Sequence, residues 1–305
     1  MLCNSGLPPS FCVKEEKKIT ARVGLALFLI MPLSLTVQMG LGAVLPQQWN
    51  PLARMWILVI VSQYLVAYSL AILLLRSLPG RPPRRRFLDG KTFWRLFCIS
   101  YLLLMVGNLL GRLSGRIWEN WFGMPSNPLL DQLLSQSNLP WLFLVLVVLA
   151  PLYEEWIFRK LLLDRLVKYG ELPAVFTSGL LFGLYHGNVE QFFYAVFIGW
   201  LLAYVYVKTG RVGYCVVLHM LINFFGSIVP LQVLRLEGTM WAGIYGLLVL
   251  LFLVLGLVYG ISTRRSWHFR LSDFAIDNKT GAAVIWNNWG MYLALFGGLF
   301  FFFWQ

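Results

Sequence analysis

Charge is scarce in this sequence. Only 12% of its 305 residues are Asp, Glu, Lys or Arg, whereas soluble domains carry about 25%. Hydrophobic residues make up 59%, so water cannot be the main solvent of the folded chain. At about 20 apolar residues per helical span, the chain is long enough for several spans and leaves little for a soluble domain. We predict one membrane domain over residues 1–305.

Cysteine is also rare, and the four residues lack the spacing of a zinc site or a disulfide framework: Cys3, Cys12, Cys98 and Cys215. The net charge is +12, but nucleic-acid binding needs a basic face on a folded soluble domain. We therefore predict no nucleic-acid partner. Residues 1–19 form a polar N-terminal tail, and the apolar run after them is too long and too late for an ordinary signal peptide.

Long apolar runs predict an all-α fold, a polytopic bundle of about 8–9 transmembrane helices. Charged or Pro/Gly-rich breaks separate nine candidate spans: 20–45, 55–75, 92–113, 140–163, 173–187, 191–207, 212–228, 239–261 and 282–304. The segment 111–138, which carries Trp118, Trp121 and Phe122, is predicted either as an amphipathic segment at the outer interface or as a plain connecting loop.

The basic residues predict an orientation. With the N-terminus inside, twenty of the 25 basic residues fall in inside segments: 14–22, 76–95, 160–168, 208–211 and 264–279. The positive-inside rule therefore favours a cytoplasmic N-terminus and an odd number of spans. The basic run 81–86 is expected to face anionic lipid headgroups. A short basic N-terminus without eukaryotic targeting motifs suits a bacterial plasma membrane.

Two adjacent carboxylates interrupt the fourth apolar run, where charged residues are rare and usually functional. Glu155 and Arg159 are spaced i, i+4, so we expect them to pair on one helix face. Glu154 points about 100° away and has no obvious cation. A desolvated carboxylate of this kind suits a general base, and the reversed assignment of the two glutamates stays open. Pro151 removes a helix hydrogen bond nearby, which favours a cavity.

Two of the three histidines, His186 and His219, lie in the fifth and seventh predicted spans. Asn223 follows His219 by one turn, so both side chains can offer N–H donors to an oxyanion in one cavity. Gly179, Gly183 and Gly187 form a small-residue stripe that would let a neighbouring helix approach closely.

Taken in order, the motifs Glu154-Glu155-xxx-Arg159, Phe182-xxx-His186 and His219-xxx-Asn223 resemble those of the CPBP family, also called Abi, which includes the type II CAAX prenyl endopeptidases. The resemblance covers about 141–225, within the motif-bearing core helices 140–228.

This resemblance implies an intramembrane endopeptidase in which Glu154 activates water with help from His186. His219 and Asn223 would stabilise the oxyanion, and Glu155, Arg159 and Phe182 would support the site. A zinc-dependent version would use Glu154, His186 and His219 as ligands. We favour the metal-free account, since the chain has no HExxH motif.

The expected substrate is a membrane-embedded or lipid-anchored peptide or protein, and the prenyl-CAAX substrate is not carried over. Two alternatives come from other functional classes. A non-catalytic immunity or scaffold protein would keep the polar cluster to lock helices together. A transporter would use the carboxylates as a proton relay, but the inverted repeats that would support it are not evident.

Overall fold

The computed structural model describes residues 9–123, 139–274 and 276–303. Within these ranges every regular element is a helix. Seven helices are long and apolar enough to cross a membrane, and two shorter apolar helices accompany them. The chain is therefore a multi-pass helical membrane protein, as predicted.

Within the described residues, ten helices correspond to the nine predicted apolar runs. They are α1 Val13–Val44, α2 Pro51–Arg76, α3 Gly90–Phe122, α4 Leu139–Tyr169, α5 Glu171–Leu184, α6 Val189–Thr209, α7 Val212–Val233, α8 Met240–Ser266, α9 Asn278–Trp286 and α10 Trp289–Phe303. Helical structure already begins at Pro9, so the second half of the predicted polar tail is part of the first helix.

The segment 111–138 was predicted as an interfacial amphipathic segment or as a connecting loop. Neither prediction describes residues 111–122. Helix α3 continues through Phe122 and buries Trp118. It ends where Gly123 adopts a left-handed conformation, φ 67°, that favours glycine. Charged residues interrupt the apolar run here without breaking the helix. Residues 124–138 lie outside the described part of the chain.

Two other predicted boundaries are wrong. The ninth run, 282–304, is divided between α9 and α10, because the Asn288 side chain accepts the Met291 N–H at 3.0 Å and so starts a new helix. The fifth helix ends at Leu184, so His186 lies in the turn that follows it. Gly187, with φ 67°, completes this turn.

Close packing through glycine places α6 between α3 and α5. A Cβ atom added to Gly107 would lie 2.3 Å from the Tyr194 Cα atom, and one added to Gly183 would lie 2.3 Å from the Val196 side chain. A Cβ atom added to Gly179 would likewise lie 2.1 Å from the Trp200 side chain of α6. The predicted packing stripe is therefore confirmed for Gly179 and Gly183, with α6 as the neighbouring helix.

The segments predicted on the inside contact one another at one end of the bundle. The Lys168 ammonium pairs with Glu16 at 2.5 Å, joining α4 to the first helix. The backbone N–H groups of Arg81 and Arg86 donate to the carbonyl oxygens of Asp164 and Thr209. These contacts place the basic segments on a common side, which the predicted alternation of loops requires.

A buried carboxylate holds the C-terminal basic segment at this same end. Glu171, at the start of α5, accepts from the Arg270 guanidinium at 2.6 Å and from the Arg270 backbone N–H at 2.9 Å. It also pairs with Lys208 at the end of α6. One side chain therefore ties three sequence-distant segments together.

Candidate active site

The second glutamate of α4 is committed to an ion pair. Arg159 Nε donates to Glu155 Oε2 at 2.9 Å, and both side chains are completely buried. The guanidinium also donates to Ser178 Oγ at 2.8 Å and lies 4.6 Å from the centre of the Phe182 ring. The predicted i, i+4 pair is therefore confirmed, and it also binds α4 to α5. Satisfied buried charges of this kind are hard to displace.

His219 of α7 lies between the two glutamates. Its Nδ1 atom is 2.9 Å from Glu155 Oε1, and its Nε2 atom is 4.0 Å from Glu154 Oε2. An ionised carboxylate only accepts hydrogen bonds, so Nδ1 carries a hydrogen and Nε2 faces Glu154. The Glu154 side chain is 14% exposed, whereas that of Glu155 is fully buried. Of the two carboxylates, Glu154 is the one that a substrate can reach.

Phe182 connects the two imidazoles. Its ring contacts His186 and His219 edge-on, with centroid distances of 4.8 and 5.8 Å. The Nδ1 atom of His186 is 2.8 Å from the Phe182 carbonyl oxygen. Because a carbonyl can only accept, Nδ1 is the donor and Nε2 is left for another partner. The motif spacing Phe182-xxx-His186 therefore fixes both the position and the tautomer of His186.

Asn223 of α7 has a partner that the sequence did not reveal. Its side-chain amide donates to the carbonyl oxygen of Leu146 at 2.8 Å. In this part of α4 the helix is π-helical, and the Ala150 N–H donates five residues back to Val145. The Leu146 carbonyl would next accept from residue 151, which is a proline without an N–H. Asn223 thus satisfies a carbonyl that Pro151 leaves free.

Further tyrosines near Glu154 were not predicted. They are Tyr64, Tyr68 and Tyr194, and the last of these contacts the His186 ring. The first two belong to α2, outside the motif-bearing helices, and their rings contact Tyr153 of α4. No spacing in the sequence links α2 to α4, so only the tertiary structure identifies these residues.

A zinc site does not fit the residues present. Within residues 9–123, 139–274 and 276–303, no three His, Cys, Asp or Glu side chains are grouped so that they could hold a metal ion. No step of the chemistry below is assigned to a metal.

The comparisons with known proteins agree with the motifs. Residues 136–225 match the family model of the type II CAAX prenyl endopeptidase Rce1-like proteins. The resemblance to the CPBP family is confirmed. This matched stretch, residues 136–225, is the CPBP segment, and it contains all four predicted catalytic residues.

A curated relative extends the similarity beyond the CPBP segment. The chain is 24% identical over 184 residues to the "Putative membrane peptidase YdiL" of Bacillus subtilis (strain 168), covering 57% of this chain and 72% of the relative. No solved structure matches this chain. At the level of the family, these similarities support a membrane protease.

Proposed function

We propose that this chain is an intramembrane endopeptidase in which Glu154 activates the attacking water. The observation that carries the proposal is the 4.0 Å approach of Glu154 Oε2 to His219 Nε2. Behind this pair, Glu155 is held by Arg159 and His219, so Glu154 is free to exchange a proton. This division of roles is what a general base needs.

The reaction then proceeds by simple proton transfers. As the water oxygen bonds to the carbonyl carbon, Glu154 takes one water proton and the carbonyl electrons move onto the oxygen. When the carbonyl re-forms, the C–N bond breaks and Glu154 passes this proton to the leaving nitrogen. His186 Nε2 is suited to orient the water. A hydrogen on His219 Nε2 and the second amide hydrogen of Asn223 would donate to the oxyanion.

The substrate we propose is a membrane-embedded or lipid-anchored peptide or protein. Glu154 belongs to a helix that is apolar enough to span a membrane, and its side chain is only slightly exposed. A freely soluble, folded protein could not bring a peptide bond to this depth. The matched family model is named for CAAX prenyl endopeptidases, but no feature of this site, among the residues that the structure describes, selects a prenyl group.

Anionic lipid headgroups are the second proposed partner, bound at the basic end of the bundle. An open cavity of about 360 Å³ there is lined by Lys91, Trp94, Arg95 and Tyr259. The Arg95 guanidinium lies 5.8 Å from the Tyr259 ring centre. Clustered cations beside interfacial aromatic residues suit a phosphate group at a membrane surface. The proposal requires this end to face the cytoplasmic leaflet, which maleimide labelling of intact cells can test.

Cleavage can be tested before any substrate is known. Cells would express the wild-type chain or Glu154→Gln at equal membrane levels, and mass spectrometry would compare newly formed peptide termini in their membranes. We expect some termini to appear only with the wild type, because the amide cannot accept the water proton. Glu15→Gln, which changes an exposed carboxylate, is the matched control and should cleave normally. Equal cleavage by Glu154→Gln would refute the proposal.

A scaffold or immunity role is the second candidate function. The cluster of Glu155, Arg159, Ser178 and His219 links α4, α5 and α7, as a helix-locking network would. In that case the wild type would generate no new termini. A cell-protection phenotype, where one exists, would survive Glu154→Gln in a folded protein.

A further inference from the structure

A directed chain of hydrogen bonds leads from the His186 turn to Tyr194. Asn188, which caps α6, accepts the Gln191 backbone N–H at 2.8 Å through its side-chain oxygen. Its amide nitrogen donates to the His186 carbonyl at 2.9 Å and to Gln191 Oε1 at 2.6 Å. These contacts fix the orientation of both amides, since reversing either one would place two acceptors or two donors together.

The orientation of Gln191 determines what the Tyr194 hydroxyl can do. Gln191 Nε2 donates to the Tyr194 oxygen at 2.8 Å, so the phenol oxygen is an acceptor in this contact. Its own hydrogen is therefore available to an acceptor on the other side. A tyrosine whose oxygen is held in this way is a hydrogen-bond donor of fixed position.

Tyr194 lies beside the proposed active site. Its ring lies 6.0 Å from the His186 ring in an edge-on contact. The side chain is only partly buried, so a bound peptide can reach it. Behind it, Gly107 of α3 packs directly on the Tyr194 backbone, which limits its movement.

We propose that the Tyr194 hydroxyl donates a hydrogen bond to the carbonyl oxygen of the scissile peptide bond as that oxygen becomes an oxyanion. The inference rests on the proposed endopeptidase function. It adds a donor from α6 to those of α7. Asn223 of α7 already gives one of its two amide hydrogens to the Leu146 carbonyl. Tyr194 keeps its proton throughout, and Glu154 alone carries the water proton to the leaving nitrogen. A donor that strengthens only as charge develops lowers the barrier without tightening substrate binding.

The first test removes only the hydroxyl group. Purified variants in proteoliposomes would cleave a quenched fluorescent peptide that spans a site found in the terminus comparison. We expect Tyr194→Phe to lower kcat by about 10- to 1000-fold, with KM changed less than about threefold. Tyr101→Phe is the matched control, since Tyr101 is a buried tyrosine paired with Tyr245, and it should keep kcat within about twofold.

The second test keeps the tyrosine and changes its hydrogen-bond direction. In Gln191→Glu, a carboxylate oxygen replaces the amide donor, so the Tyr194 hydroxyl would donate to residue 191 and turn away from the substrate. We expect kcat to fall in this variant. The double variant Gln191→Glu/Tyr194→Phe should be no slower than Tyr194→Phe alone, because both changes remove the same interaction.

The outcomes separate the two proposals. If Glu154→Gln is inactive but both Tyr194→Phe and Gln191→Glu keep wild-type kcat, the role of Tyr194 is refuted and the endopeptidase proposal stands. If Tyr194→Phe raises KM or lowers the unfolding temperature without lowering kcat, Tyr194 has only a structural role. If Glu154→Gln cleaves normally, both proposals are overturned.

Discussion

Two neighbouring glutamates in α4 have different surroundings because consecutive helix residues point about 100° apart. Glu155 pairs with Arg159 of the same helix and contacts His219 of α7. Glu154 faces the partly open side, and within the described part of the chain its ionic contact is with His219. The local helix geometry thus gives one carboxylate a structural position and leaves the other available for chemistry.

The buried ion pair leads to a prediction about stability. Arg159→Met removes the cation and leaves the Glu155 carboxylate buried with His219 as its remaining hydrogen-bond partner. We expect the free energy of unfolding to fall by about 3–5 kcal/mol, the typical cost of removing one partner of a buried pair. Denaturant unfolding in detergent micelles would measure this change.

The control for this prediction is an exposed pair of similar chemistry. Lys18 and Glu15 pair at 2.7 Å with both side chains largely exposed, so Lys18→Met should cost less than about 1 kcal/mol. Equal losses in the two variants would mean that the Arg159 pair contributes no more than a surface contact.

Contacts within one helix could be predicted from the sequence, but contacts across the bundle could not. The Glu155–Arg159 pair follows from a four-residue spacing. The Asn223 contact with Leu146 joins residues 77 positions apart and depends on how α7 packs against α4. The tyrosines of α2 near Glu154 are unpredictable for the same reason. A single sequence contains periodicity but not the packing of one helix on another.

At the scale of helices, Pro151 and Asn223 should be energetically coupled. Asn223→Ala leaves the Leu146 carbonyl without its side-chain donor, and we expect a loss of about 1–3 kcal/mol in the free energy of unfolding. Pro151→Ala restores a backbone N–H that can serve this carbonyl. In the Pro151→Ala background, the cost of Asn223→Ala should therefore fall by about 1 kcal/mol or more.

A double-mutant cycle of unfolding free energies measures this coupling. The pair Ser69→Ala with Pro151→Ala is a suitable control, because Ser69 donates to the Tyr64 carbonyl within α2. Additive effects are expected there. If Asn223→Ala and Pro151→Ala were also additive, the proline would have no part in the role of Asn223.

Helix boundaries were the least predictable feature of the elements. Arg112 and Arg116 ended the predicted third span, yet α3 continues because charged side chains do not interrupt backbone hydrogen bonding. The fifth helix ended earlier than its apolar run, since Gly187 adopts a left-handed conformation. Apolar runs report which residues avoid water, whereas caps and backbone conformation determine where a helix stops.

At the scale of the whole molecule, the number and order of apolar helices follow the sequence closely. Each predicted run contains an apolar helix, although the fifth and ninth are shorter than the others. Helix α8 is exposed along most of its length, as suits a helix that packs one side on α3 and turns the other to lipid. The basic segments meet at one end, held by the buried carboxylates Glu16 and Glu171.

The side of the membrane that this basic end faces is the last prediction. The excess of Lys and Arg predicts that this end faces the cytoplasm, so an impermeant maleimide added to intact cells should not reach it.

With Cys3 and Cys12 replaced by Ser, the cysteines left in the chain, Cys98 and Cys215, are buried. In that background, Arg84→Cys and Ser266→Cys should react only after permeabilisation, because both exposed positions belong to the basic end. Glu237→Cys, exposed at the opposite end, should react in intact cells. Reversed labelling would show the opposite orientation and refute the proposal that this end binds lipid headgroups of the cytoplasmic leaflet. Different labelling of positions 84 and 266 would contradict the fold itself.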